Sequence, residues 1–271
     1  MGIITPEEYY RQKPPPGTQL NRNHPLAAGL VGAWLMNEGS GLYTYDLSGF
    51  GNHGTLTNMD PATDWVAGPD GYALDFDGSD DYINTGAGFQ GMSLPISIEA
   101  WMYRTGGGDY GGIVSLDKSA NFAGVQIQII NITAIGIGYG DNTGTISTSR
   151  HSKISGAVLV NNKWYHVVGI FRGFEDMDIY VNGINVGGAY TGTGGAMAWA
   201  GGYAAIAAGW GSTGQFFGGI IGKISVYNRS LLPQEISQLY ADPYAMWEVA
   251  RRPIWKAPVV SEYKPQIMML V

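Results

Sequence analysis

Between residues 30 and 240 the chain is cut into short apolar runs, and almost every cut is a Gly, an Asn or an Asp. Residues 30–35, 73–76, 96–103, 112–116, 125–130, 164–171, 177–181 and 219–227 are apolar in alternation or throughout, and hardly any stretch carries a 3.6-residue period. Runs of this length between regular turn residues specify the strands of a sandwich or barrel. Residues 233–239 are the exception: Pro233 comes early, and Ile236 and Leu239 fall three apart, which predicts a helix. The sharpest turn is Asn182-Gly183, set between alternating apolar runs, where a two-residue type I′ hairpin matches the twist of its flanking strands.

Composition narrows the class further. A content of 45% hydrophobic and 12% aromatic residues supplies a packed core and excludes a disordered polymer. The 42 glycines follow no period of three, which excludes collagen. Zero cysteine removes disulfides, thiolate metal sites and cysteine nucleophiles together. The net charge is -7, and residues 26–240 alone hold 8 basic and 17 acidic groups. An acidic body repels phosphate backbones, so no nucleic-acid partner is expected. Residues 179–222 carry no charge, yet they are too rich in Gly, Asn, Thr and Tyr for a membrane span. The N-terminal Met1-Gly2-Ile3-Ile4-Thr5-Pro6-Glu7-Glu8 lacks the basic and apolar parts of a signal peptide.

Several motifs occur in a fixed order. Asp46-Leu47-Ser48-Gly49-Phe50-Gly51-Asn52-His53-Gly54-Thr55-Leu56 is followed by Ala73-Leu74-Asp75-Phe76-Asp77-Gly78, then by Asp80-Asp81-Tyr82-Ile83 and Ile98-Glu99-Ala100-Trp101. Trp164-Tyr165-His166-Val167-Val168, Ile179-Tyr180-Val181-Asn182-Gly183 and Val226-Tyr227-Asn228-Arg229-Ser230-Leu231 complete the series. Over about residues 28–240 this resembles a laminin-G-like domain of the concanavalin A-like lectin/glucanase superfamily. The resemblance implies an all-β fold, an antiparallel two-sheet jelly-roll sandwich. It also implies calcium near the sandwich edge, held by Asp46, carbonyls around Asn52 and an acidic residue two before Ile224. That last position is Gly222 here, followed by Lys223, and a lost carboxylate with a gained cation weakens a hard-cation site.

Catalysis finds little support. A glycosidase of this superfamily needs two carboxylates at alternating spacing on one strand. The nearest run, Glu175-Asp176-Met177-Asp178, lacks the second Glu and abuts the hairpin, where its acids read as solvated edge charge. His166 alternates with Trp164 and Val168 and reads as a core histidine, and no Gly-x-Ser-x-Gly or P-loop is present. The seven aspartates from Asp60 to Asp81 are best explained by turns and by outward alternation, with Leu74 and Phe76 facing the core. Trp34, Trp101 and Trp164 lie in apolar strand runs and are expected in the core. Tyr190, Trp199, Tyr203, Trp210 and Phe216 lie in the uncharged Gly-rich segment. They either present flat faces to glycan or partner chains or are packed inward by Ala204, Ala205, Ala207 and Ala208.

Two arms flank the body. Residues 1–25 hold Pro14-Pro15-Pro16-Gly17, an extended segment, and residues 241–271 hold Pro243, Pro253, Pro258 and Pro265. Tyr244, Trp247, Arg251, Arg252 and Trp255 have the character of interface anchors, and docking on neighbouring subunits is the simplest way to bury them. With the laminin-G-like body, these arms resemble accessory structural proteins of tailed phages. The expectation is a non-enzymatic virion structural protein: a homo-oligomeric capsid decoration protein made in the host cytoplasm and displayed on the virion surface. It would contact other capsid subunits and host cell-surface glycan, with no membrane partner. A stand-alone carbohydrate-binding module is the alternative, and a glycoside hydrolase the remote third.

Overall fold

The structure, a computed structural model, describes residues 12–106, 108–118, 121–144, 148–209 and 215–248. Its strands are β1 (Gln19–Leu20), β2 (Leu30–Trp34), β3 (Tyr43–Thr44), β4 (Gly54–Thr57), β5 (Trp65–Ala67), β6 (Tyr72–Asp77), β7 (Tyr82–Asn84), β8 (Ile96–Arg104), β9 (Tyr110–Lys118) and β10 (Ala123–Ile130). There follow β11 (Ala134–Asp141), β12 (Arg150–Ile154), β13 (Lys163–Gly173), β14 (Asp176–Val181), β15 (Ile184–Asn185), β16 (Ala189–Thr191), β17 (Tyr203–Ile206), β18 (Gly218–Tyr227), the helix α1 (Pro233–Ala241) and β19 (Trp247–Glu248). No helix among the described residues is long and apolar enough to cross a membrane.

The strands make the two-layer antiparallel sandwich that the sequence predicts. One sheet has nine strands in the order β16-β12-β11-β10-β9-β17-β7-β4-β3. The other has eight, β15-β14-β13-β8-β18-β6-β5 with β2 beside β18. Alternation decides which side chains meet between the layers. In β8, Ile96, Ile98, Ala100 and Met102 enter the inter-sheet core, where they join Ile127, Ile137, Val167, Phe171, Phe217 and Ile224. Trp34, Leu74 and Phe76 are there too, as expected. Each large side chain so buried contributes roughly 1.5–3 kcal/mol. The hairpin turn is the expected one: Asn182 and Gly183 take φ of 51° and 78°, and β14 pairs with β15 across them.

A second core lies outside the eight-stranded sheet, where Val168, Ile170, Ala33 and Tyr227 turn away from the sandwich. Leu26, Leu231, Ile236 and Leu239 cover them, together with Tyr244, Met246 and Trp247. This changes the reading of the arms. Tyr244 and Trp247, expected against neighbouring subunits, are each only 8% exposed and pack on their own chain. Lys13 and Pro14 are buried as well, and β1 pairs with β19, Gln19 opposite Glu248. The physical reason is that the outer face of this sheet is itself apolar and needs a cover, which the chain ends supply. Arg251, Arg252 and Trp255 lie outside the described residues.

Candidate functional site

Asp46 shows what its Gly-rich loop is built to do. Its Oδ1 accepts the N–H of Ala33 and of Ser48, both at 2.9 Å, and its Oδ2 accepts the N–H of Asn52 at 3.0 Å. The Asn52 carbonyl receives Trp34 Nε1 at 2.9 Å, and Asn52 Nδ2 donates to the Val31 carbonyl at 3.1 Å. The Gly222 carbonyl receives the Lys13 ammonium at 2.7 Å. These oxygens face N–H and ammonium donors, so the set implied for calcium does not fit a hard cation, which needs an oxygen cage. The loop ties β2 to the sheet edge instead.

Lys223 goes to the opposite side of its strand. Its ammonium lies 2.8 and 3.0 Å from the two oxygens of Glu99 and 2.9 Å from the Pro243 carbonyl. His166 Nε2 sits 3.3 Å from Glu99 Oε1, and all three side chains are fully buried. Burial alone would raise the Glu99 carboxyl, but the Lys223 charge and the His166 contact outweigh it and hold it at about 2. Burial lowers His166 despite its carboxylate partner, which keeps the imidazole neutral. The group is sealed beneath the second core and serves packing.

The Gly-rich segment divides. Tyr190 packs against the inter-sheet core, its hydroxyl between the Met177 N–H (2.9 Å) and carbonyl (3.3 Å), with its ring stacked on His151. Trp199 also packs on that core and donates Nε1 to the Met92 carbonyl at 3.0 Å. Tyr203 and Phe216 behave differently. Ala204 and Ile206 of β17 turn inward, and so does Phe217, which leaves Tyr203 and Phe216 on the outer face of the nine-stranded sheet. Both meet Tyr82 there: Tyr203 stacks on it at 6.0 Å between centroids and Phe216 lies 6.2 Å away. The Lys118 ammonium stands 5.3 Å from the Phe216 ring and 6.0 Å from that of Tyr82. Burial, and then the hydroxyl of Tyr82 at 3.4 Å, raise the Tyr203 phenol. All three rings are half-buried. Trp210 lies outside the described residues.

Sequence reasoning missed Tyr82 and Lys118. For Tyr82 the signal was alternation: Ile83 is buried, so its neighbour Tyr82 had to face outward. Trp101 and Trp164, expected in the core, instead sit on the outer face of the eight-stranded sheet. Their neighbours Ala100, Met102 and Tyr165 take the inward positions. Asp176 and Asp178 are held by Arg172 at 2.7 and 2.6 Å, edge charge as expected. Asp77 faces outward at the end of β6, as expected, and accepts the N–H of Ser79 and of Asp80. With Asp80 and Asp81 it forms the one carboxylate trio among the described residues whose oxygens come within 4.8 Å of one another.

Comparison with known proteins agrees with this architecture. A family profile described as the concanavalin A-like lectin/glucanases superfamily, of laminin-G type, matches residues 77–237, more than half of the chain. The chain belongs to this superfamily. Its lectin-like sandwich superposes on the Trypanosoma rangeli sialidase in complex with sialic acid, with a TM-score of 0.55 and 15% identity. That match covers 80% of this chain and 33% of the sialidase, so the concanavalin A-like body spans about a third of that protein. Domain 4 of AbnA, an extracellular arabinanase from Geobacillus stearothermophilus, in complex with arabinotriose, gives 0.54 at 17% identity and covers 79% of this chain and 98% of that one. The binding domain of Paraclostridial Mosquitocidal Protein 1 gives 0.58 at 14% identity, covering 79% and 52%. No curated protein sequence matches this concanavalin A-like chain.

Proposed function

We propose that the chain is a non-catalytic carbohydrate-binding protein and that its glycan site is the cluster of Tyr82, Tyr203 and Phe216. The observation that carries this reading is their convergence. Tyr82 meets Tyr203 and Phe216, more than 100 residues on, on one sheet face around the Lys118 ammonium, and all three rings are half-buried. Aromatic faces take the C–H side of a sugar, and the phenol hydroxyls are placed to exchange hydrogen bonds with its hydroxyls. Similarity to a domain in complex with arabinotriose and to a sialidase in complex with sialic acid supports the ligand class.

Calorimetry with arabinotriose, sialyllactose and a broad glycan panel tests the reading. Saturable binding is expected, weakened about tenfold or more by Tyr203→Ala. A flat response across the panel would reject it, and release of reducing ends from a bound glycan would reject the non-catalytic part.

The finer reading, a virion decoration protein contacting neighbouring subunits, is favoured by one surface. Leu42, Tyr43, Tyr45 and Phe50 are 48–63% exposed beside β3, the free edge of the nine-stranded sheet. An unpaired edge carrying exposed rings is a ready docking line for another chain. A purified chain that stays monomeric and fails to decorate capsid particles would end this reading and leave the carbohydrate one intact.

A further inference from the structure

On the outer face of the eight-stranded sheet lies a cavity of about 870 Å3, within the size range of small-molecule sites. Trp101 and Trp164 line it from the sheet, and Tyr240 and Tyr244 line it from the C-terminal segment. Gly222 brings no side chain to the floor, where a Cβ would lie 3.4 Å from the Trp164 ring. Asp70 is the one charged side chain on this lining among the described residues.

The charges around the cavity favour a cation. Two ammoniums stand behind its wall, and both are engaged. Lys223 lies 2.8 Å from Glu99 and donates to the Pro243 carbonyl at 2.9 Å. Lys13 donates to the carbonyls of Tyr72 and Gly222. Three carboxylates outnumber them: burial first, and then the charges of Asp70, Glu99 and Asp242, hold the Tyr244 phenol well above its ordinary range. His166, packed against Trp101, adds no charge, because burial keeps the imidazole neutral.

Hydrogen bonding narrows the class of cation. The Gly222 and Pro243 carbonyls already receive ammoniums, and Asn182 Oδ1 receives the His166 N–H at 3.0 Å. A primary ammonium brings three N–H donors and finds few acceptors left here. A hard metal ion would meet one carboxylate and no oxygen cage. A methylated ammonium needs no acceptor and is held by negative charge and aromatic rings.

We propose that this cavity binds a methylated ammonium group, held by the Asp70 carboxylate and the rings of Trp101, Trp164, Tyr240 and Tyr244. The cavity is larger than the group itself and takes part of the molecule that carries it. The site is separate from the cluster of Tyr82, Tyr203 and Phe216, which lies on the outer face of the other sheet.

The test measures saturation transfer from the full chain to the N-methyl protons of choline. It is repeated with the neutral tert-butyl analogue, in which carbon replaces the charged nitrogen. Choline is expected to bind, and the analogue to bind about tenfold more weakly or not at all. Trp164→Ala and Asp70→Asn are each expected to weaken choline binding about tenfold or more, and Tyr203→Ala to leave it unchanged. Asp70 also accepts the Tyr244 hydroxyl at 2.5 Å, so the half-buried Trp164 carries the test if Asp70→Asn does not fold. Phosphatidylcholine vesicles separate two sources of the group: co-sedimentation of the chain assigns it to a lipid, and choline binding without co-sedimentation assigns it to a free solute. The proposal is overturned if choline receives no saturation transfer, if the neutral analogue binds as well, or if Trp164→Ala binds like the wild type. It is also overturned if binding vanishes in Tyr203→Ala, which would place the cation at the ring cluster.

Discussion

At the scale of single residues, Lys223 is the most instructive. A cation inside an apolar strand looks like damage to a metal site; in the fold it neutralises Glu99, whose strand position is 124 residues away. A buried pair adds little over well-packed apolar side chains, but breaking it strands a charge. Lys223→Met is therefore expected to lose about 3 kcal/mol in urea denaturation, because Glu99 is left buried with His166 as its one remaining side-chain partner among the described residues. Adding Glu99→Leu to that variant should recover most of the loss. If Lys223→Met alone is as stable as the wild type, the pair is not the lock described here. Tyr203 and Phe216 show another case: their segment leaves exposure and inward packing both open, and they stand on the outer face because Ala204, Ile206 and Phe217 turn inward.

At the scale of elements, the C-terminal segment after α1 is part of the body. Pro243 gives its carbonyl to Lys223, and Tyr244, Met246 and Trp247 close the second core. A chain ending after Glu248 is expected to fold and stay soluble. One ending after Tyr240 is expected to aggregate, because it bares the apolar outer face of the eight-stranded sheet. Size-exclusion chromatography separates the two outcomes, and equal behaviour would return residues 241–248 to the role of a free arm. The strands, the Asn182-Gly183 turn and the helix starting at Pro233 were legible because each rests on local chemistry: alternation, a positive φ and a proline at the first turn. The placement of Trp101 and Trp164 was not. In β8 and β13 both faces are covered, so period-two alternation no longer says which side is the core. The ring cluster was half legible, since Tyr203 and Phe216 stand in a segment that attracts notice while Tyr82 hides in a three-residue strand.

At the scale of the whole molecule, two carboxylates pull stability in opposite directions with pH. Glu99 titrates at about 2 in the fold against an ordinary 4.5. Its contribution is therefore complete above pH 4.5 and is lost as pH falls toward 2. Asp81 is pushed up to about 6 from 3.8, first by burial and then by the charges of Asp77, Asp64 and Asp80. The folded state thus prefers its proton, and stability falls as pH rises from about 4 through 6. Buried, neutral His166 works the other way over the same window, so the comparison is between variants: the change in stability from pH 5 to pH 7, read by denaturation, is expected to become more favourable by about 1 kcal/mol in Asp81→Asn. An unchanged pH dependence in that variant would assign it to other groups.

The pairing of β1 with β19 has a consequence of its own. Asn21 N–H reaches the Met246 carbonyl at 2.9 Å, so the segment leading into the sandwich and the segment leading out of it are tied to each other. Neither can peel away without releasing the other, and their amides are expected to exchange with solvent as one cooperative unit.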